Sequence, residues 1–194
     1  GFDQVHWVLG VDLLDNPSLM GDAQKIAVIG GGVVGCETAY WLKYEYSRDV
    51  TVVEMMPDFM EGVCTANRGH LLHYLEKGGV KLMNCARVIS FGKNQVHILR
   101  NSSAAVPNPY NTWQPLLPDN IPNPLAKKPG NSRNHITVDA DLVVLALGGK
   151  ADQDLYFNCL KGHLAPEILN IGDSERAGRV LEAARAAYRT GIRV

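Results

Sequence analysis

Lys25-Ile-Ala-Val-Ile-Gly-Gly-Gly-Val-Val-Gly35 decides the fold. A short apolar, mostly β-branched run enters a glycine cluster, and an apolar helical pattern follows. Gly30, Gly32 and Gly35 fill a G-x-G-x-x-G frame between a predicted strand and a predicted helix, the context that gives such a frame weight. Each glycine has a physical task. Gly30 makes the tight turn out of the strand. Gly32, lacking a Cβ, lets the backbone approach a pyrophosphate. Gly35 lets the helix pack close to the strand. The helix start at Val33 and Val34 offers free N–H groups and a partial positive charge to phosphates. Gly30, Gly31, Gly32, Val33, Val34 and Gly35 are therefore the first candidate cofactor-binding residues.

Asp49-Val-Thr-Val-Val-Glu54 reads as a short buried parallel strand ending in an acid. Glu54 follows Gly30 by 24 positions, near the ~20 expected for a ribose-reading carboxylate. A carboxylate there accepts hydrogen bonds from ribose hydroxyls and repels a 2′-phosphate. Two like charges ~4 Å apart at an effective dielectric near 20 cost about 4 kcal/mol before screening. Met55 and Met56 follow, with no Arg or Lys to receive such a phosphate. Glu54 and Met55 join the candidate set, and NAD(H) is favoured over NADP(H).

Bulk composition bounds the rest. The 194 residues, 46% apolar and 20% charged, suit one domain or one and a half. A net charge of −1 gives no reason to invoke nucleic acid or an anionic membrane. No apolar run is long enough to span a bilayer, and the N-terminus has no signal pattern. Cys36, Cys64, Cys85 and Cys159 are widely spaced with no C-x-x-C, so they read as buried or idle thiols in a reducing cytoplasm.

Residues 1–21 read as a connector arriving from a preceding segment, and the absence of an initial Met suits an excised fragment. Val5–Leu9 reads as a short strand or a turn of helix. Residues 22–148 read as the nucleotide-binding domain. Within it, a helix is predicted from Val33 to about Ser47, and another to Lys77, capped by Thr65 or Asn67. Val80–Met83 is a third strand, completing β-α-β-α-β. Arg87–Phe91 and Gln95–Leu99 flank a hairpin turn. Residues 101–134 hold seven prolines, Pro107 to Pro129, and cannot be helix or central strand. This stretch reads as a variable excursion, with Tyr110 and Trp113 pinning it to the domain surface or to a partner. His135–Val138 and Asp141–Leu147 resume strand character, the latter ending at Gly148. Glu167–Ile171 is predicted as a strand and Ala177–Arg189 as a helix ended by Gly191. Glu37 reads equally as a carboxylate stabilised by its helix dipole or as a contact near the cofactor. The fold class is α/β: a Rossmann-like three-layer dinucleotide-binding domain with a parallel sheet and a β-hairpin or meander.

Several stretches together resemble one family. Ile29-Gly-Gly-Gly-Val-Val-Gly-Cys-Glu-Thr-Ala39 resembles the second dinucleotide motif of the two-Rossmann flavoproteins. Leu142-Val-Val-Leu-Ala-Leu-Gly148 resembles the junction where those chains leave the nicotinamide domain. Asn170-Ile-Gly-Asp173 resembles their C-terminal FAD motif. The Gly-Cys-Glu-Thr-Ala run, Val-Glu-Met after the second strand and Asn67-Arg68 are similar to NADH:flavin oxidoreductases of the 2,4-dienoyl-CoA reductase, enoate reductase and trimethylamine dehydrogenase group. The resemblance covers about residues 5–194. It implies that residues 149–194 are the returning C-terminal remnant of an FAD-binding domain. It also implies an FMN barrel with a 4Fe-4S cluster, and the first FAD half, elsewhere in the polypeptide. Under the resemblance, Gly148 is a crossover beside the cofactor, and Gly172 and Asp173 meet FAD. The long 101–134 excursion is closer to the dehydrogenase-like members, some of which bind a nucleotide without using it for hydride transfer.

The expected function is a nicotinamide-binding module passing hydride from NADH to FAD, with the remainder of its own polypeptide as partner. Cofactors carry such chemistry. The six histidines are scattered, and no triad, carboxylate pair or ligand cluster appears, so no catalytic residue and no metal ligand are assigned. The isolated chain is expected to be inactive. Two rivals are a non-redox ADP-binding structural module and a free-standing NAD-dependent enzyme. The Asn-Ile-Gly-Asp ending argues against the latter.

Overall fold

The computed structural model describes residues 1–113, 117–118, 120–124, 130 and 132–193. In chain order the elements are β1 (Trp7–Leu9), α1 (Gly10–Asp15), β2 (Lys25–Ile29), α2 (Val33–Tyr46), β3 (Asp49–Val53), α3 (Thr65–Lys77), β4 (Lys81–Met83), β5 (Ala86–Gly92), β6 (Gln95–Asn101), β7 (Arg133–Asp139), β8 (Leu142–Leu145), α4 (Asp154–Lys161) and α5 (Val180–Gly191). They fall into two compact units, Gly1–Leu147 and Gly148–Val194.

The first unit is built on a five-stranded sheet ordered β1-β8-β2-β3-β4, parallel throughout. Alternation along each strand explains why both faces are apolar. Ile26, Val28, Val50, Val52, Leu142 and Val144 share a core with Leu13, Leu42, Leu72 and Leu75 of the helices. Ala27, Ile29, Val53 and Val143, one position out of phase, share a second core with Val96 and Ile98. Those last two belong to an antiparallel sheet ordered β5-β6-β7. Helices cover one face of the parallel sheet and the antiparallel sheet covers the other, giving three layers. A strand buried on both faces must be apolar along its buried length, as the runs at 26–29 and 142–145 are.

Chain order positions the site. From β2 the chain lays β3 and then β4 to one side. It crosses through β5–β7 and returns as β8 on the other side of β2. Strand order therefore reverses between β2 and β8, and ligands of such sheets bind beyond the carboxyl ends of the strands at that reversal.

Several expectations are refined. Residues 1–21 supply β1, which pairs in parallel with β8, and they bury Val5, Val8, Leu13 and Met20. Helix α3 is capped by neither Thr65 nor Asn67. Its N-cap is Cys64, without a side-chain bond, and Asn67 lies inside the helix. Glu167–Ile171 forms no strand, because no described segment takes its backbone hydrogen bonds. Helix α4 occupies a stretch where the sequence reading places no element. Helix α5 starts at Val180 rather than Ala177, where Glu182 accepts the Arg179 backbone N–H at 3.0 Å and the Arg179 guanidinium at 2.9 Å. Gly191 lies in its last turn.

The excursion between β6 and β7 is anchored rather than loose over its described first part. The Tyr110 hydroxyl donates to the Val80 carbonyl at 2.7 Å and accepts the Leu82 N–H at 3.2 Å. Trp113 is exposed. Pro115 and Pro129 lie outside the described residues. No described helix is long and apolar enough to cross a membrane.

Candidate functional site

The crevice is built from the turn after β2. Gly30 has φ +110°, and its N–H donates to the Val53 carbonyl at 2.9 Å. A Cβ on Gly30 would collide with the Ala146 carbonyl oxygen, and one on Gly35 with the Gly30 carbonyl oxygen. The strand-to-helix turn closes only with hydrogen at both positions. A Cβ on Gly32 would meet nothing within 4 Å. Beside this open space α2 begins, with Gly32 as N-cap and no side chain capping its first N–H groups. Those of Val33, Val34 and Gly35 lack intrahelical acceptors, as at any helix start.

Glu54 joins this turn to the end of β3. Its Oε2 accepts the Gly31 N–H at 2.7 Å, and its Oε1 accepts the Met56 N–H at 2.7 Å. Each oxygen keeps further acceptor capacity. Asp58 and Glu61 follow, and residues 55–63 contain no Lys or Arg. Met55 is two-thirds exposed beside the carboxylate.

Gly31 sits at a variable position of the motif, yet it is held on every side. Its carbonyl accepts the Met60 N–H at 2.9 Å and the Cys36 thiol at 3.5 Å. A Cβ would strike the Phe59 ring and come within 2.9 Å of the Glu54 Cβ. Phe59 is fully buried. Burial, and then the Glu54 charge, push the Cys36 thiol up to about 12, so it is a neutral plug behind the loop.

The sequence reading misses this bracing layer, together with the buried side chains that hold it. Arg68, 1% exposed, donates through Nε to the Phe59 carbonyl and through Nη1 to the Asn111 carbonyl, both at 2.8 Å. Burial lowers its pKa from the ordinary value, while the Asp58 charge opposes that shift. Its local signals are an arginine among the leucines of α3 and its place in the Asn67-Arg68 pair of the family resemblance, and neither names the carbonyls it bonds.

The remaining candidates belong to the second unit. Gly148 has φ +86° and Gly172 has φ +67°. Asp173, in a single 3-10 turn, accepts the Gly178 N–H at 3.2 Å. Ser174 donates to the Asp152 carbonyl at 3.0 Å, and Gln153 donates to the Glu175 carbonyl at 3.0 Å. Asp173 thus closes the turn leading towards α5, whose own N-terminus is capped by Glu182.

Within the first unit, a separate cleft of about 240 Å³ lies at the amino ends of β2, β3 and β4. Its lysines are already paired, Lys25 with Asp139 at 3.0 Å and Lys81 with Asp49 at 3.4 Å, so it neutralises itself. Among the described residues no three His, Cys, Asp or Glu side chains cluster as metal ligands.

With this geometry in view, comparison with known proteins is decisive. The family model described as pyridine nucleotide-disulphide oxidoreductase matches residues 8–165. The chain belongs to the pyridine nucleotide-disulphide oxidoreductase family. Members of this family are flavin-dependent redox proteins that use FAD and NAD(P). The chain is similar to a cinnamate reductase of Clostridium sporogenes, 27% identical over 85% of this chain and 20% of that protein. It is also similar to an NADH oxidase of Thermoanaerobacter brockii, 28% identical over 88% of this chain and 21% of that one. Among solved structures, a 2-naphthoyl-CoA reductase superposes with a TM-score of 0.70 at 22% identity, over all of this chain and 24% of its own. The pyridine nucleotide-disulphide oxidoreductase chain described here thus spans about a fifth of the length of these curated relatives.

Proposed function

We propose that this chain is the nicotinamide-binding module of a larger flavin-dependent oxidoreductase, of the NADH:flavin oxidoreductase kind that its motifs resemble. It binds NAD(H) in preference to NADP(H). FAD is shared with a segment of the polypeptide outside these residues, and the FMN and 4Fe-4S groups implied by the resemblance are held there too. The supplied chemistry is hydride donation from the nicotinamide to FAD, followed by onward electron transfer.

The residues of this chain bind and orient. The crevice fits the adenosine and pyrophosphate half of a dinucleotide, because the turn is closed by hydrogen at Gly30 and Gly35 and open above Gly32. The first amides of α2 donate to the pyrophosphate. Glu54 accepts from the ribose hydroxyls with the lone pairs its two backbone bonds leave free. A 2′-phosphate would face Glu54 with no cation in the following segment. Gly148, Gly172 and Asp173 are proposed to serve the flavin side.

The observation that carries this reading is the Glu54 carboxylate tied to the Gly31 amide at 2.7 Å. Calorimetric titration with NADH, NADPH, ADP and FAD tests it. NADH binding well above NADPH and ADP is the expected result, and absence of nucleotide binding would overturn it.

One observation favours a second reading. The residues with defined geometry in the crevice, the glycine turn, the first amides of α2 and Glu54, suit the adenosine and pyrophosphate half alone, as a structural ADP-binding module would need. Equal affinity for ADP and NADH would select it.

A further inference from the structure

We propose that Arg68, together with Asn84, is a positioning residue that braces the nucleotide crevice with the 102–113 segment. The inference rests on the crevice binding a nucleotide, as proposed above. Two irregular segments are involved, residues 57–60 and residues 107–111, and two buried side chains join them in the same way. Arg68 donates to the Phe59 and Asn111 carbonyls. Asn84, fully buried, donates through Nδ2 to the Pro57 carbonyl at 2.7 Å and the Pro107 carbonyl at 2.9 Å. Each staple takes one carbonyl from each segment.

The first segment is what presses on the glycine turn. Phe59 fills the space against Gly31, and the Met60 N–H holds the Gly31 carbonyl. The Gly31 N–H in turn fixes Glu54. A continuous set of contacts therefore runs from Arg68 through Phe59 and Met60 to the carboxylate. The second segment is the anchor. Tyr110 fastens it to β4. The segment lies against α3 at Gly69, where a Cβ would make ordinary contact with the Thr112 carbonyl oxygen at 3.4 Å. Arg100 donates to the Asn84 backbone carbonyl at 3.3 Å and to its side-chain oxygen at 3.4 Å, which orients the amide.

A buried guanidinium is costly unless hydrogen-bonded. A cation spent on two carbonyls of two loops, away from either strand or helix hydrogen bonding, is placed to hold those loops. Sites work when the residues that touch the ligand are locked by others behind them. By this inference the 102–113 segment is part of the site without touching the nucleotide.

The test uses the whole chain and three variants, Arg68→Met, Arg68→Lys and Asn84→Ala, with Leu13→Ala on α1 as a control that destabilises the core away from the braces. Titration with NADH and with ADP is expected to show affinity losses of roughly 2- to 30-fold for Arg68→Met and Asn84→Ala. Arg68→Lys recovers part of the loss, and Leu13→Ala stays near wild type. Equal affinities in the brace variants and the control would overturn the inference. Amide hydrogen exchange gives a readout independent of ligand. Gly31, Phe59 and Met60 should exchange faster in Arg68→Met than in Leu13→Ala, and equal rates would overturn the inference even if the wild-type chain binds. A wild-type chain that binds neither nucleotide overturns the proposed function, and the exchange rates then still decide whether the brace exists. Should Arg68→Met fail to fold, Asn84→Ala and Tyr110→Phe carry the same comparison.

Discussion

The two units of the chain are held together by different means. In residues 1–147 the parallel sheet is covered on both faces, and side chains such as Leu42, Leu72, Val28 and Leu142 are fully buried. In residues 148–193 no described residue is buried. Leu155, Leu164 and Tyr188 are each more than 70% exposed, and Val180 is 86% exposed. Burying a side chain of this kind contributes about 1.5–3 kcal/mol, so the first unit has a source of stability that the second lacks. The second is held by turn bonds, by the Arg179–Glu182 cap and by helix hydrogen bonds, and short helices of that kind are marginal in water. One unit is built around buried cores, and the other has no buried core among its described residues.

The largest test separates the two. Residues 1–147 produced alone should unfold in one cooperative transition followed by circular dichroism. Residues 148–194 alone should show little helix and no transition, and a cooperative transition there would break the contrast. Next in size are truncations within each unit. Leu142→Ala should cost about 2–5 kcal/mol in urea unfolding of the whole chain. Leu181→Ala, at an exposed position, should fall within about 0.5 kcal/mol of wild type.

Smaller effects sharpen the reading of the first unit. Glu54→Gln removes a charge-assisted acceptor, which is worth about 1.5–3 kcal/mol. NADH affinity should therefore fall by about tenfold or more, while NADPH affinity changes little, closing the gap between them in calorimetry. The smallest effect concerns pH. The Cys36 thiol is raised from 9.0 to about 12 in the folded chain. Unfolded chains lose that proton first as pH rises. The contribution is fully present below about pH 9 and is lost as pH climbs towards 12, with a slope of at most about 1.4 kcal/mol per pH unit. Cys36→Ala should flatten that part of the stability–pH curve relative to wild type, and coincident curves would refute the assignment.

Legibility in the sequence followed locality. The glycine frame, Glu54, the hairpin and the doubly buried strands are legible because each is decided by neighbours in sequence: a turn that needs hydrogen for a side chain, a period of two, a run with no polar break. The bracing layer is not legible. Arg68 and Asn84 bond carbonyls, which every residue possesses, so nothing at positions 57, 59, 107 or 111 announces a partner. Gly31 is a candidate in the sequence, but its close packing against Phe59 and Glu54 is not legible, since its place in the motif is one that the frame leaves unspecified. In the second unit, Glu167–Ile171 has the composition of a strand but no described neighbour to pair with. The capping pair Arg179 and Glu182 shifts the helix start by three residues from the predicted Ala177.

Tyr110 has a consequence for how this protein behaves in solution. Strand β4 ends the parallel sheet, and a sheet margin invites further chains to add to it. The phenol closes that margin by satisfying both Val80 and Leu82 with a single oxygen. Tyr110→Phe frees that carbonyl and amide, and turbidity at high concentration is the expected outcome before any loss of fold.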